Sequence, residues 1–118
     1  MADLLDQVRS VASALNYTEV VPAQVKGKSG IKHNFSALFQ SDAGYFAVDA
    51  FDRVAESDVL RGRIKEQDSE VQYCIESADA APDKAQQLAK YYGIILISPS
   101  DRGKLTDLMQ IKKQTQGS

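Results

Sequence analysis

The run Ser29-Gly-Ile-Lys-His-Asn-Phe-Ser-Ala-Leu-Phe-Gln40, the turn formers Ser41-Asp-Ala-Gly44, and then Tyr45-Phe-Ala-Val-Asp-Ala-Phe51 decide how this chain is read. Two β-rich runs around a cluster of turn residues specify a β-hairpin, and they place one acid, Asp49, late in its second strand. Upstream of the hairpin, Leu4, Val8, Val11 and Leu15 recur at helical spacing behind Asp3, a good N-cap. They predict a first helix from about Leu4 to Leu15, closed by Asn16. Tyr17 to Val25 is rich in β-formers, but Pro22 has no N–H for a ladder, so this strand is expected to be irregular and to lie at an edge or a bulge. Lys26-Gly-Lys-Ser-Gly30 reads as a flexible basic loop leading into the hairpin.

Downstream, Glu56-Ser57-Asp58 starts a polar helix whose narrow buried face is expected to carry Leu60 and Ile64. Glu70 to Glu76 alternates, with Val71, Tyr73 and Ile75 on one side and Gln72 and Cys74 on the other, as a strand does. Pro82, the stripe Ala85, Leu88, Ala89 and Tyr92, and the stop at Gly93 predict another helix. Ile94-Ile-Leu-Ile97 is continuously apolar, which predicts a strand covered on both faces in the middle of a sheet. Asp101 is expected to cap a last helix through Leu105, Leu108 and Met109. Lys112 and Lys113 suit its C-terminal dipole, and a polar tail, residues 114–118, frays beyond a single domain of residues 1–113. The order is α-β-β-β-α-β-α-β-α. Antiparallel pairing in the first half and parallel crossovers in the second close into an α/β fold, a mixed sheet of about five strands flanked by helices.

Composition bounds the function. With 118 residues, 43% hydrophobic and 25% charged, the chain has the balance of one globular domain. A formal charge of −2 supplies no global positive field for nucleic acid, which leaves only local patches to provide one. One Cys and one His build neither an internal disulfide nor a zinc site, so a reducing setting fits. No apolar run approaches the roughly 20 residues needed to cross a bilayer. Asp3 and Asp6 replace the basic start of a signal segment, so a cytoplasmic protein without a membrane partner is expected.

Three pieces carry a family resemblance: Ser29-Gly30-x-x-His33-x-Phe35, then Ala47-Val48-Asp49, then Leu88-Ala89-x-x-Tyr92-Gly93-Ile94. In this order they resemble the restriction-endonuclease-like (PD-(D/E)xK) proteins, in particular the Mrr-like archaeal domains. The resemblance implies that fold. It also implies a site in which an acid on one strand and an acid-x-Lys on the next hold a divalent metal against phosphate. Carried over, the first acid falls at Ser36, the second at Asp49 and the lysine at Phe51. Of the three chemical groups, only the Asp49 carboxylate is present. The following helix offers Arg61, Arg63 and Lys65 as a relocated lysine, and Asp42 or Asp52 would have to replace the missing acid.

The expectation is therefore a catalytically degenerate nuclease-fold binding module for DNA or a DNA-processing protein, with no cofactor. As the family implies, it would be a homodimer. Two alternatives stand beside it. One is an active Mg²⁺-dependent DNA endonuclease, with Asp49 as metal ligand, Lys65 as the relocated lysine and His33 as a base. The other is a protein-interaction domain without nucleic-acid contact. Candidate DNA contacts are Lys26, Lys28 and Lys32 in a loop with free N–H groups, and Arg61, Arg63 and Lys65, with both sets lining one groove. Against these stand plainer readings. Asp49 hydrogen-bonds to the Gly30 loop, His33 is simply packed or solvated, and Glu56, Asp58, Glu66 and Asp68 interleave with the second basic cluster on a solvated face. Cys74 reads as a buried, inert thiol, and Gly27-Lys28-Ser29 lacks the first glycine of a phosphate loop, since Pro22 stands there. Tyr45 and Tyr91 are candidates for exposure at a protein interface.

Overall fold

The computed structural model describes residues 2–110, with residues 2–4 and 102 described in backbone only. The readings of Lys112, Lys113 and the tail from Gln114 lie outside the described residues.

Helix α1 (Ala2–Ala14) begins two residues earlier than expected, so Asp3 lies within its first turn and is not its cap. The two positions favour the same residue types, and the sequence does not separate them. Asn16 closes the helix in the left-handed region (φ 63°). There the Asn16 N–H reaches the Ser13 carbonyl at 3.0 Å and the Tyr17 N–H reaches that of Ala12 at 2.9 Å, the paired bonds of a Schellman end.

The expected strand from Tyr17 to Val25 is two strands in two sheets, β1 (Thr18–Glu19) and β2 (Gln24–Lys26), with a cis Val21–Pro22 bond between them. The first arm of the hairpin divides likewise. β3 (Lys32–Asn34) pairs with β2 in a separate two-stranded sheet, whereas β4 (Ala37–Ser41) pairs with β5 (Gly44–Phe51) around the Asp42-Ala43 turn. The Phe35 N–H bonds to the Ala23 carbonyl at 2.9 Å, which closes the small sheet where the large one begins.

From β5 the chain runs through α2 (Glu56–Ser69) to the parallel strand β6 (Gln72–Ser77), then through α3 (Asp83–Tyr92) to β7 (Ile95–Ile97). The main sheet has the order β1-β4-β5-β6-β7, antiparallel up to β5 and parallel from β5 to β7. The fold is α/β with a mixed five-stranded sheet and helices on both faces. Strand β7 is at the edge of the sheet, not in the middle. Its apolar run reflects cover on both faces, with Leu96 packed on one and Ile97 on the other, and cover does not reveal position in the order. Asp101 belongs to a 3₁₀ turn (Pro99–Lys104), where it accepts the Ser98 N–H and hydroxyl, and α4 (Leu105–Leu108) follows it.

Strand alternation gives the sheet two cores. Ala47, Val71, Tyr73 and Ile75 face Val59 of α2 and Ala85 and Ala89 of α3. Phe46, Val48 and Cys74 face Val8 and Ala12 of α1 with Leu105 and Met109.

Helix α2 departs most from its sequence reading. Val59 and Gly62 are buried, while Leu60 and Ile64 are 43% and 63% exposed. The cause is Gly62, where an added Cβ would stand 2.6 Å from the Tyr73 hydroxyl oxygen and 3.0 Å from Ile75 Cδ1. The helix therefore seats its glycine face on β6 and turns its leucine and isoleucine outward. Gly62→Ala is expected to lower stability by about 1–3 kcal/mol through overpacking despite its better helix propensity. Gly103→Ala, with open space at its Cβ, should be close to neutral; urea unfolding of the two variants checks this.

Candidate functional site

Asp49 lies on the face of β5 that carries Ala47 and Phe51, and it is 6% exposed. A buried carboxylate needs donors, and three elements supply them. The Ser36 N–H, at the entry to β4, donates to Oδ1 at 3.1 Å. The Lys65 ammonium on α2 and the Tyr73 hydroxyl on β6 donate to Oδ2 at 2.6 and 2.7 Å. Lys65 Nζ also stands 4.6 Å from the centroid of the Phe35 ring, and that ring packs at 5.9 Å from Tyr73. Burial, first, and then the Asp49 charge push the Tyr73 phenol far above its usual range, so it remains a proton donor to Asp49.

The positions that the nuclease resemblance assigns to metal and charge, Ser36, Asp49 and Phe51, line one cavity of about 210 Å³ together with Lys65, Arg61 and Asp58. Lys65 thus enters the site from α2, as a relocated lysine would. The carboxylates for a divalent ion are not assembled. The Ser36 hydroxyl accepts the Ala50 N–H at 3.0 Å. Asp58 accepts the Ala55 N–H at 2.9 Å, as at a helix start, and lies 3.5 Å from Arg61. Asp42 lines a different cleft with Tyr17 and Gln110, at the turn that begins β5, and Asp52 is exposed beyond its end. No group of three or more His, Cys, Asp or Glu among the described residues is placed to hold a metal ion. The residues present do not fit Mg²⁺, which takes oxygen ligands and is held by carboxylates and substrate phosphates, whereas Asp49 already carries an ammonium.

The hairpin loop bonds to Asp68, and Asp49 has no contact with it. Asp68 accepts the Ser29 N–H at 2.9 Å, the Ser29 hydroxyl at 2.7 Å and His33 Nε2 at 2.7 Å, and its own carbonyl accepts the Lys28 N–H at 2.9 Å. His33 therefore has a partner acid that the sequence did not disclose. The Ser29 hydroxyl bond first, and then that of His33, hold the Asp68 carboxyl down at about 2. The loop's N–H groups are not free for phosphate. Gly27 donates to the Ile31 carbonyl, Gly30 to that of Gly27, and Ile31 to the Ser29 hydroxyl. A Cβ on Gly27 would fall inside the Asp68 carboxylate, so this glycine is what admits the acid.

The basic residues do not share one groove. Arg61 and Lys65 line the Asp49 cavity, while Lys28 lines a shallow cleft with Ile31, Ile64 and Gln67 on the outer side of α2. Lys26 and Lys32 are exposed on the hairpin, and Lys28 lies 3.9 Å from Glu70. Arg63 turns to α3, donating to the Tyr92 carbonyl at 3.2 Å with its guanidinium 5.1 Å from the Tyr92 ring centroid. Cys74 is fully buried, and burial, first, and then Glu76 push its thiol well up, as expected for an inert cysteine. Tyr45 and Tyr91 are exposed at 38% and 80%.

No family model and no curated protein matches this chain. Among solved structures it is similar to a protein of unknown function, AF1548, with a TM-score of 0.60 at 15% identity. The match covers 85% of this chain and 62% of that one, so this chain spans less than two thirds of its neighbour's length. Identity this low shows a shared α/β fold and nothing of activity.

Lys65→Met leaves the Asp49 charge buried without its cation and is expected to cost about 3 kcal/mol. Adding Asp49→Asn should recover much of that loss, and a double-mutant cycle in urea reads the coupling. Asp68 ionises more readily folded (about 2) than unfolded (about 3.9). Its contribution to stability is therefore complete above about pH 4 and lost as the pH falls toward 2. Asp68→Asn should flatten the stability profile across that window, measured by unfolding at pH 7, 4 and 2.5.

Proposed function

We propose that this chain is a non-catalytic docking module on a restriction-endonuclease-like fold, in which an internal cation has taken the place of the metal. The observation that carries this reading is the Lys65 ammonium 2.6 Å from Asp49, with the Tyr73 hydroxyl on the same carboxylate oxygen. An acid so engaged, facing a serine where a second carboxylate would be needed, has little capacity for Mg²⁺. The family resemblance supports the fold assignment, and the mixed sheet with its Asp49 hairpin is compatible with it. A protein surface suits the outer side of α2, where Leu60, Ile64 and the neighbouring Ile31 stand exposed.

A second reading, contact with DNA phosphates, is favoured by the exposure of Lys26, Lys28, Lys32 and Arg61. Against it stand Glu70 beside Lys28, Asp58 beside Arg61, the occupied loop amides and the net charge of −2. Labelled duplex, branched and single-stranded DNA, incubated with the protein in Mg²⁺ or Mn²⁺, should remain uncut. Fluorescence anisotropy in EDTA across a salt series should show no salt-sensitive binding. Cleavage abolished by Asp49→Ala would overturn the docking reading in favour of a relocated-lysine endonuclease. Affinity falling steeply with salt would establish phosphate contact instead.

A further inference from the structure

We propose that the open edge of β7 takes up an extended segment of a partner protein as an added antiparallel strand. A large apolar residue of that segment fills the pocket between β7 and α3, and an acid two residues further on meets Lys90. The two edges of the main sheet are built differently. At one, β1 is two residues long, its Glu19 is ion-paired with Arg9, and Pro22 follows soon after, all features by which sheets discourage stray pairing. At the other, Ile94-Ile-Leu-Ile97 has neither charge nor proline, and its pairing with β6 is continuous. The described chain ends at Gln110, in the cleft with Thr18 and Gln40 beside β1, on the opposite side of the sheet from this edge.

The alternation of hydrogen bonds shows what the edge presents. The Ala78 N–H donates to the Phe51 carbonyl at 2.9 Å, and in a parallel ladder with Phe51 opposite Ser77 this turns the even-numbered residues of β6 toward β5. Tyr73, Ile75 and Ser77 therefore bond to β7. With Ile75 opposite Leu96, their partners are Ile95 and Ile97. Leu96 is left with its N–H and its carbonyl both directed away from the sheet. On either side of it, the Ile94 N–H is taken by the Ala89 carbonyl at 2.9 Å and the Ser98 N–H by Asp101 at 3.2 Å. A residue with a donor and an acceptor open together matches one residue of an antiparallel strand, which exchanges both bonds with it.

The pocket beside the edge decides the side chains. Leu96 lies on the α3 face of the sheet, and with Ile94 and Ala89 it forms the apolar part of a pocket of about 310 Å³, whose polar rim includes Lys90 and Asp101. Residues directly opposite in a ladder put their side chains on the same face. The residue that pairs with Leu96 thus delivers its side chain to this pocket, where a large apolar one fits the walls. Side chains two residues apart share that face, and in the antiparallel direction the second one along comes level with Ile94. There stands Lys90, in the last turn of α3, exposed and in no ion pair among the described residues. Asp101, at the Ser98 end, is already engaged by the Ser98 N–H and hydroxyl. An acid opposite Lys90 completes the match.

This surface shares no residue with the Asp49 cavity or the outer side of α2, so the DNA experiments neither support nor weaken it. The test is a two-dimensional NMR titration of the amide signals of the full 118-residue chain with the end-capped peptide Thr-Val-Leu-Val-Glu-Thr. Saturable shifts should centre on the Leu96 amide and extend over residues 94–98 and the end of α3. Methylating the leucine nitrogen of the peptide, which removes one of the two exchanged bonds, should weaken binding at least about tenfold. Leu96→Pro should do the same in a chain that circular dichroism shows to be folded, since proline is tolerated on an edge strand whose N–H faces outward. Lys90→Glu should weaken this peptide and rescue its counterpart with lysine in place of glutamate. No saturable shift at about 1 mM peptide, shifts centred elsewhere, indifference to N-methylation or a charge swap without rescue overturns the proposal. A Leu96 signal that moves when residues 111–118 are deleted, or a wild-type dimer that Leu96→Pro dissociates, assigns the edge to the chain's own end or to a second copy and overturns it equally.

Discussion

Asp49 is where the layers of the protein meet. Its carboxylate takes one donor each from the entry of β4, from α2 and from β6, so the hairpin, the first crossover helix and the parallel half of the sheet share one charged group. Removing any donor would leave a buried anion short of partners, and this couples elements far apart in sequence. Gly62 completes the arrangement. It lets α2 descend until the Tyr73 ring lies beneath it, and Lys65, three residues on, then falls within reach of Asp49 from the same side. The site is a structural keystone that ties three separate elements of the fold to one carboxylate.

Much of the architecture was legible in local pattern. The Tyr45–Phe51 strand, the alternation of Val71, Tyr73 and Ile75, and the Pro82 to Gly93 helix all follow from period and punctuation. Each matches what packs against it. The two largest misreadings occur where local pattern reports burial but not the neighbour that supplies it. Helix α2 has two large apolar residues four apart, the usual sign of a buried stripe. The face that is buried instead has a glycine at its centre, and a glycine contributes no hydrophobic signal. Likewise the continuous run Ile94–Ile97 reports cover by helices, not rank in the sheet.

The site was legible by residue but not by partner. Asp49 and Lys65 stood out in the sequence, yet nothing in their 16-residue separation ties one to the other. Tyr73 had no signal beyond that of a core aromatic. Asp68 was read only as one acid among a solvated set, while in the fold it is the anchor of the hairpin. Such acids are found by asking which loop has many N–H groups and no strand to satisfy them. The Gly27-Lys28-Ser29-Gly30 turn is such a loop.

That anchoring changes the character of the hairpin tip. A stretch with two glycines, two serine and lysine hydrogen-bonding groups, and wide solvent exposure has the composition of a mobile tether. Every amide from Gly27 to Ile31 is nonetheless engaged, two of them on Asp68. The loop consequently behaves as a rigid bracket fastened to the end of α2. Amides held in this way are expected to exchange with solvent together, when the bracket detaches as a whole, rather than singly.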